Sequence, residues 1–228
     1  MQKRKISLFL MFFLGLYVLG SQEIITADRF LAMVSERYGA IRDYEANVVI
    51  RSGTTDMVGS LSYLSPSFLR IDFTRPNGQT IVFNGEMLTI HLPELRTTLT
   101  QPINQRRSPA AAAGIATPHG LTLLRSNYIA TFVTGPAPVP LEPGSTEQVV
   151  QLRLTRRVVS EGFREIIMSV NPDTLLIRRV EGRTIADGLV RFDFTNIRTN
   201  VGVPEQRFIF DSQPSANNIN NFLFRDTN

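Results

Sequence analysis

The chain has 228 residues, no cysteine and a formal net charge of +4. The lack of cysteine excludes disulfides, thiolate metal sites and the attachment of a lipid through an N-terminal cysteine. Lys3, Arg4 and Lys5 lie in the N-terminal leader described next. Without them 21 basic residues face 20 acidic ones, and the net charge of +1 gives no indication of nucleic-acid binding.

The first 20 residues have the pattern of a secretory signal peptide. A basic start is followed by the apolar run Ile6–Leu19 and by the small residues Gly20 and Ser21. The run is shorter than the roughly 20 apolar residues that a membrane-spanning helix needs. We therefore expect an exported chain from which residues 1–20 are removed, the alternative being an uncleaved N-terminal anchor. Residues 21–228 are expected to form a single domain.

Three segments have the periodicity or composition of helices. In Ile24–Tyr38 apolar residues recur at spacings of three and four, Thr26 can cap the start and Gly39 can end the helix. Ser108 and the proline after it begin a short alanine-rich helix. Apolar residues of Leu121–Val133 again fall on one helical face, with a strand possible at the end of the segment.

Strands dominate the remaining sequence. In Val58–Leu99 apolar residues recur at every second position in short runs, and turn sequences such as Asn84-Gly85 separate the runs. Further strands are predicted at Asp43–Arg51, Gln148–Thr155, Arg164–Val170, Leu175–Glu181, Leu189–Thr195 and Arg207–Phe210. The Pro/Gly-rich segment Thr134–Thr146 is predicted to be a loop. The total of about eleven strands indicates a mainly β (α+β) fold, in which an antiparallel sheet curls and the helices lie against its apolar face.

No constellation of catalytic residues stands out. The two histidines, His91 and His119, lack the spacing of metal ligands, and neither a nucleophile elbow nor a phosphate-binding glycine loop occurs. The carboxylates are scattered, and arginine pairs such as Arg106-Arg107 are typical of solvated faces. We therefore expect no metal, no cofactor and no enzyme, the alternative being a hydrolase with an unrecognised site.

The predicted sheet encloses more apolar wall than one or two short helices fill. Such a sheet can hold an apolar ligand, with the helices acting as a lid. In the alternative interpretation the helices fill the space as ordinary core, and the residues leave both interpretations open.

Several short motifs occur along the chain in a fixed order. They are Y-x-A-N-V at Tyr44–Val48, G-x-L-x-Y-x-x-P-x-x-L-R at Gly59–Arg70, P-x-x-Q at Pro76–Gln79, V-F-N-G at Val82–Gly85, F-D-F-T-N at Phe192–Asn196, N-V-G-V-P at Asn200–Pro204 and F-I-F at Phe208–Phe210. In their order and spacing the chain resembles the periplasmic outer-membrane lipoprotein carrier family (LolA-like) over essentially all of residues 21–228.

The resemblance implies a periplasmic protein with an unclosed antiparallel β-barrel and a helical lid over an apolar cavity. It implies a carrier that takes lipoproteins from an inner-membrane ABC-type release complex, shields their acyl chains and hands them to an outer-membrane acceptor lipoprotein. The absence of cysteine favours the soluble carrier over the acceptor, and we expect a monomer. The alternative is a carrier or sensor of another lipid or glycolipid on the same fold. One position departs from the family: carriers have a lid-latching arginine before the proline of the turn after the second strand, and here that position is Ser65.

The inward-facing apolar positions of the strands are the expected lipid-binding wall. They are Val48, Ile50, Leu61, Tyr63, Leu69, Ile71, Phe73, Leu88, Ile90, Leu152, Leu154, Phe192 and Phe194. The expected lid positions are Ile115, Leu121 and Leu124. For each of these residues the alternative is a place in an ordinary core.

Overall fold

The computed structural model describes residues 25–103, 116–157, 162–211 and 217–222. Two helices lie in these ranges, α1 (Ala27–Gly39) and α2 (Pro118–Asn127). The strands of the same ranges are β1 (Asp43–Ser52), β2 (Thr55–Leu64), β3 (Phe68–Arg75), β4 (Thr80–Asn84), β5 (Met87–Leu92), β6 (Thr97–Pro102), β7 (Tyr128–Phe132), β8 (Val139–Pro140), β9 (Gln148–Arg156), β10 (Phe163–Val170), β11 (Ile177–Thr184), β12 (Leu189–Thr199) and β13 (Asn217–Asn220). Two 3-10 turns occur at Pro93–Leu95 and Glu205–Phe208.

The strands form one continuous sheet that does not close on itself. Its order is β13-β6-β5-β4-β3-β2-β1-β12-β11-β10-β9-β7, and β8 pairs with β9 beside β7. Every described pairing is antiparallel except that of β13 with β6. Within the described ranges β7 and β13 therefore remain the two edges, and the prediction of an unclosed antiparallel sheet is confirmed.

Helix α1 forms where its capping residue and apolar stripe predict it. The side chain of Thr26 accepts a hydrogen bond from the backbone N–H of Arg29 at 3.2 Å, which satisfies one free donor of the first turn. The apolar stripe is buried, with Phe30 and Tyr38 among its members. The helix packs against α2 and β7, and the ring of Phe30 lies 6.2 Å from that of Phe132. The two helices thus cover one face of the sheet, which we call the inner face.

Two predicted elements differ from the structure. The helix predicted over Leu121–Val133 ends at Asn127, and its second half is β7, because the residues from Tyr128 onward pair with β9. The strand predicted at Arg207–Phe210 is instead the 3-10 turn at Glu205–Phe208. Its alternation is misleading because only Phe208 is buried, in a small cluster on the outer face of the sheet.

The structure has more strands than the approximate count from the sequence. One of the additional strands, β8, lies inside the predicted loop Thr134–Thr146, and β13 lies near the end of the chain. The predicted signal peptide at 1–20 and the alanine-rich helix predicted from Ser108 lie outside the described residues. None of the described helices is long and apolar enough to cross a membrane.

Candidate functional site: the apolar inner face of the sheet

Most of the predicted wall residues are buried beneath the helices. A single apolar cluster contains α1, α2 and the sheet, and eleven of the thirteen predicted wall positions belong to it. These eleven are Val48, Ile50, Leu61, Tyr63, Leu69, Ile71, Phe73, Leu152, Leu154, Phe192 and Phe194. The other two, Leu88 and Ile90 of β5, are only half-buried. The residues named from sequence alternation therefore share one face, and the described helices bury part of it.

An apolar row runs across the strands from the covered part of the inner face to the uncovered part. In register from β2 to β13 it consists of Leu61, Ile71, Ile81, Ile90, Leu99 and Ile219. Leu61 and Ile71 are 1% and 0% exposed, the next three residues are half-buried, and Ile219 is 49% exposed. The apolar surface thus continues past the helices towards the β6 edge, and its exposure rises along the way.

The predicted lid residues that lie within the described ranges are on α2. Leu121 and Leu124 are buried in the same cluster as the sheet residues. The helix begins with Pro118 after Thr117, whose side chain accepts a hydrogen bond from the backbone N–H of Gly120 at 3.1 Å. This start is the Ser/Thr cap followed by proline that favours a helix N-terminus. The third predicted lid residue, Ile115, lies outside the described residues.

A cluster of three tyrosines ties the start of α2 to the sheet. The ring of Tyr44 lies 6.2 Å from that of Tyr38 and 5.2 Å from that of Tyr63. The hydroxyl of Tyr44 donates to the carbonyl of Ala116 at 2.8 Å, and that of Tyr38 accepts from the N–H of Ile177 at 3.1 Å. Burial raises the pKa of Tyr38 to about 12 and that of Tyr44 well above its ordinary value, so both phenols stay protonated at neutral pH.

Ser65, where the resemblance implies a latch arginine, makes no described contact with α2. Ser65 is exposed, and its backbone N–H donates to the carbonyl of Arg42 at 2.8 Å. Arg70 lies on the outer face, where it pairs with Asp72 at 2.9 Å and donates to the carbonyl of Arg207 at 3.0 Å. Tyr44 of β1, in contrast, donates a hydrogen bond to Ala116, directly before the capping residue of α2. Its ring faces inward in the Y-x-A-N-V motif, which is the sequence signal that could have identified it.

A buried carboxylate joins the start of β1 to the chain that follows β12. Asp43 accepts hydrogen bonds from the N–H groups of Val201 at 2.7 Å and Gly202 at 2.9 Å. Burial opposes its ionisation. The backbone N–H groups of Gly202, Val203 and Val201, together with the guanidinium of Arg42, outweigh burial and hold the pKa of Asp43 below its ordinary value. Its charge therefore stabilises the junction between the two strands.

Other polar residues do not form a reactive group. In the described part of the chain no cluster of three or more histidines and carboxylates could hold a metal ion. Nδ1 of His91 lies 3.1 Å from the hydroxyl of Thr98, and its ring lies 5.2 Å from that of Phe210 in a tilted arrangement, while His119 is exposed on α2. Arg179 is buried between Asp193 and Glu142, so its charge is already balanced.

Comparison with known proteins gives likenesses in structure. No protein-family model matches the chain, and no curated protein sequence matches it. An uncharacterised conserved protein from Thermus thermophilus is 11% identical, with coverage of 83% of this chain and 98% of that one and a TM-score of 0.55.

Two further solved structures are also similar to this chain in structure. A chain of the Pseudomonas aeruginosa MucA/MucB complex is 16% identical, with 81% and 61% coverage and a TM-score of 0.50. A LolA superfamily protein from Nitrosomonas europaea is 15% identical, with 82% and 99% coverage and a TM-score of 0.42. Identities this low bear on the fold alone. What the chain has in common with the Thermus thermophilus protein is therefore its fold, here an unclosed antiparallel sheet with helices on its apolar inner face.

Proposed function

We propose that the chain is a periplasmic carrier that binds the acyl chains of lipoproteins and moves them from the inner to the outer membrane. The observation that carries the proposal is the apolar row of the inner face, which leads from buried Ile71 to half-buried Ile90 and Leu99. A row of this kind gives a hydrocarbon chain an apolar surface to lie on without first unfolding the core. The predicted signal peptide and the order of the sequence motifs also support a carrier in the periplasm.

The energetics of acyl burial suit a carrier with movable helices. Burial is worth about 0.8 kcal/mol per CH₂, so full enclosure of a long acyl chain is worth on the order of 10 kcal/mol. If α1 and α2 separate from the sheet to admit more of the chain, they lose the contacts of residues such as Leu121 and Leu124. That loss offsets part of the binding free energy and makes transfer to the next partner feasible.

The proposed partners follow from the resemblance. An inner-membrane ABC-type release complex would load the carrier, and an outer-membrane acceptor lipoprotein would receive the cargo. The apolar surface by itself is equally suited to a free lipid, so the identity of the bound molecule is what tests the proposal.

The test is native mass spectrometry of residues 21–228, purified without detergent after export from a bacterial host. We expect the protein to carry triacylated lipoprotein. A bound phospholipid or glycolipid would reassign the cargo to another lipid on the same fold. If no ligand is bound and an apolar fluorescent dye gains no emission, the helices fill the inner face as ordinary core and the carrier proposal is wrong.

A further inference from the structure

Among the described residues, the edge of the sheet at β6 is covered by the short strand β13 alone. β13 pairs with β6 in parallel, the N–H of Asn217 donating to the carbonyl of Arg96 at 2.8 Å and that of Asn221 to the carbonyl of Thr100 at 2.9 Å. Alternate residues donate in a parallel pair, so Ile219 supplies the donor between them. A side-chain bond adds to this ladder, because the hydroxyl of Thr100 donates to Oδ1 of Asn220 at 2.5 Å.

β13 buries almost nothing. All four of its residues are exposed, including Ile219 at 49%. β6 is different, because it is paired along its other side with β5 and its residues Thr98 and Gln101 are 1% and 4% exposed. Ordering four residues costs conformational entropy that a few backbone hydrogen bonds, one exposed side-chain hydrogen bond and half of one apolar side chain barely offset. β6 is therefore held firmly in the sheet, whereas β13 is held weakly and can be displaced from it.

The same edge is where the apolar row of the inner face ends. Ile219 lies opposite Leu99 in the register, and Leu99 lies opposite Ile90. An acyl chain that lies along this row ends beside β6. In a lipoprotein the acyl chains sit on the first residue, and the polypeptide continues from that point. The first residues of such a cargo would therefore be placed next to an edge strand.

This inference rests on the proposed function. We propose that the β6 edge binds the extended N-terminal segment of the lipid-bearing cargo as an added strand, in place of β13. Strand addition uses main-chain hydrogen bonds, so it accepts many sequences, as a carrier of varied cargo requires. Alternate side chains of the added strand would face the inner side at the position that Ile219 now occupies. In the empty protein β13 covers the edge and is released when cargo binds.

The test compares a ligand that has a peptide with one that does not. The two probes are a synthetic dipalmitoylated lipopeptide with a short Ser/Asn segment and dipalmitoylglycerol. Each is titrated against the protein loaded with an apolar dye, while amide hydrogen exchange is followed by NMR. We expect both probes to displace the dye. Only the lipopeptide should accelerate exchange at Ile219 and Asn221, with the amides of β6 remaining protected.

A pair of proline variants isolates the edge. Ile219→Pro removes the central donor of β13, whereas Asn218→Pro replaces an N–H that the parallel pattern directs away from β6. We expect Ile219→Pro to bind the lipopeptide about threefold to tenfold tighter, the worth of one hydrogen bond, with dipalmitoylglycerol unaffected. Asn218→Pro should bind the lipopeptide like the parent protein.

The other outcomes distinguish a failure of this inference from a failure of the proposed function. If the lipopeptide displaces the dye while exchange at Ile219 and Asn221 stays unchanged and both variants bind it equally, the edge plays no part and this inference is wrong. If neither probe displaces the dye, the proposed function itself fails. If sedimentation shows a dimer whose formation Ile219→Pro abolishes, the edge serves a second copy of this chain, which also overturns the inference.

Discussion

The hydroxyl of Tyr44 donates a 2.8 Å hydrogen bond to the carbonyl of Ala116, 72 residues further along the chain. Tyr44 is 2% exposed and belongs to β1, in the middle of the sheet, while Ala116 precedes the capping residue of α2. A buried hydrogen bond thus connects the middle of the sheet to the start of the helix that covers its inner face.

Tyr44→Phe keeps the ring and removes only this bond. We expect the free energy of unfolding to fall by about 1–2 kcal/mol, because the Ala116 carbonyl loses its partner in a buried place. The amides of α2 should exchange faster than in the parent protein, and an apolar dye should enter more quickly. Hydrogen exchange and stopped-flow fluorescence measure the two effects.

Tyr63→Phe is the matched control. Its hydroxyl donates to the carbonyl of Pro66 at 3.1 Å, in the turn between β2 and β3, and makes no described contact with α2. This variant should leave α2 exchange and dye entry unchanged. Equal effects of the two substitutions would show that Tyr44 stabilises the fold generally and does not hold the helix.

Ile90→Glu should separate ligand binding from folding. Ile90 is half-buried on the inner face of β5, and Thr89 is half-buried on the outer face of the same strand. We expect Ile90→Glu to remain folded and to weaken binding of an apolar dye at least about tenfold, since a carboxylate in the row costs far more to desolvate than an apolar side chain. Thr89→Glu should bind the dye normally. Equal dye affinity in the two variants would exclude this row as the binding surface.

Ile71→Glu is expected to behave differently from Ile90→Glu. Ile71 lies in the same row but is 0% exposed beneath the helices. Placing a carboxylate there should lower the free energy of unfolding by about 3–5 kcal/mol. Urea unfolding followed by circular dichroism measures the loss. A loss no larger than that of Ile90→Glu would mean that the helices leave room beside this residue, as in an open cavity.

Asp43 should make the protein sensitive to acid. Because its pKa is lower in the folded chain than the ordinary 3.8, its contribution is fully present above that pH and is lost as the pH falls through the folded value. We expect Asp43→Asn to be less stable at neutral pH and to lose less further stability on acidification. Urea unfolding at neutral and acidic pH measures this. Parallel losses in both proteins would contradict the prediction.

Gly59, the first residue of the longest sequence motif, lies where β2 and β3 approach each other closely. A Cβ built on Gly59 would lie 2.4 Å from the carbonyl oxygen of Asp72 in β3. Gly59→Ala should therefore push β2 and β3 apart and cost about 1–3 kcal/mol. At Gly39, the last residue of α1, a Cβ meets no atom within 4 Å, so Gly39→Ala should be neutral or slightly stabilising. Thermal unfolding of both variants decides the matter.

The sequence was informative where a pattern had one physical meaning. Alternation between Val58 and Leu99, broken by turn residues, predicted β2 to β5, and all their inward residues share a face. The cap at Thr26 placed the start of α1. Where a pattern fitted both a helix and a strand, the prediction was wrong. The apolar residues after Asn127 fit one face of a helix, but they form a strand because they pair with β9.

The wall could be predicted only as a set of inward positions. Ile71 and Ile90 both occupy inward positions of an alternating apolar pattern, yet Ile71 is buried and Ile90 is half-buried. The difference depends on how far α1 and α2 extend over the sheet, which is a property of tertiary packing. Whether these residues line a ligand site therefore stays a prediction, and the same holds for Leu121 and Leu124 as a lid.

The pairing of β1 with β12 has a consequence for the order in which the chain folds. β1 to β6 each pair with their neighbours in the sequence, and so do β9 to β12. The pairing of β1 with β12 is different, because it places Val48 opposite Phe194, which is far away in the sequence. Contacts between distant residues close a large loop and form slowly, while neighbouring strands assemble early. The two meanders should thus appear first, and the rate-limiting event should be their joining along this central seam.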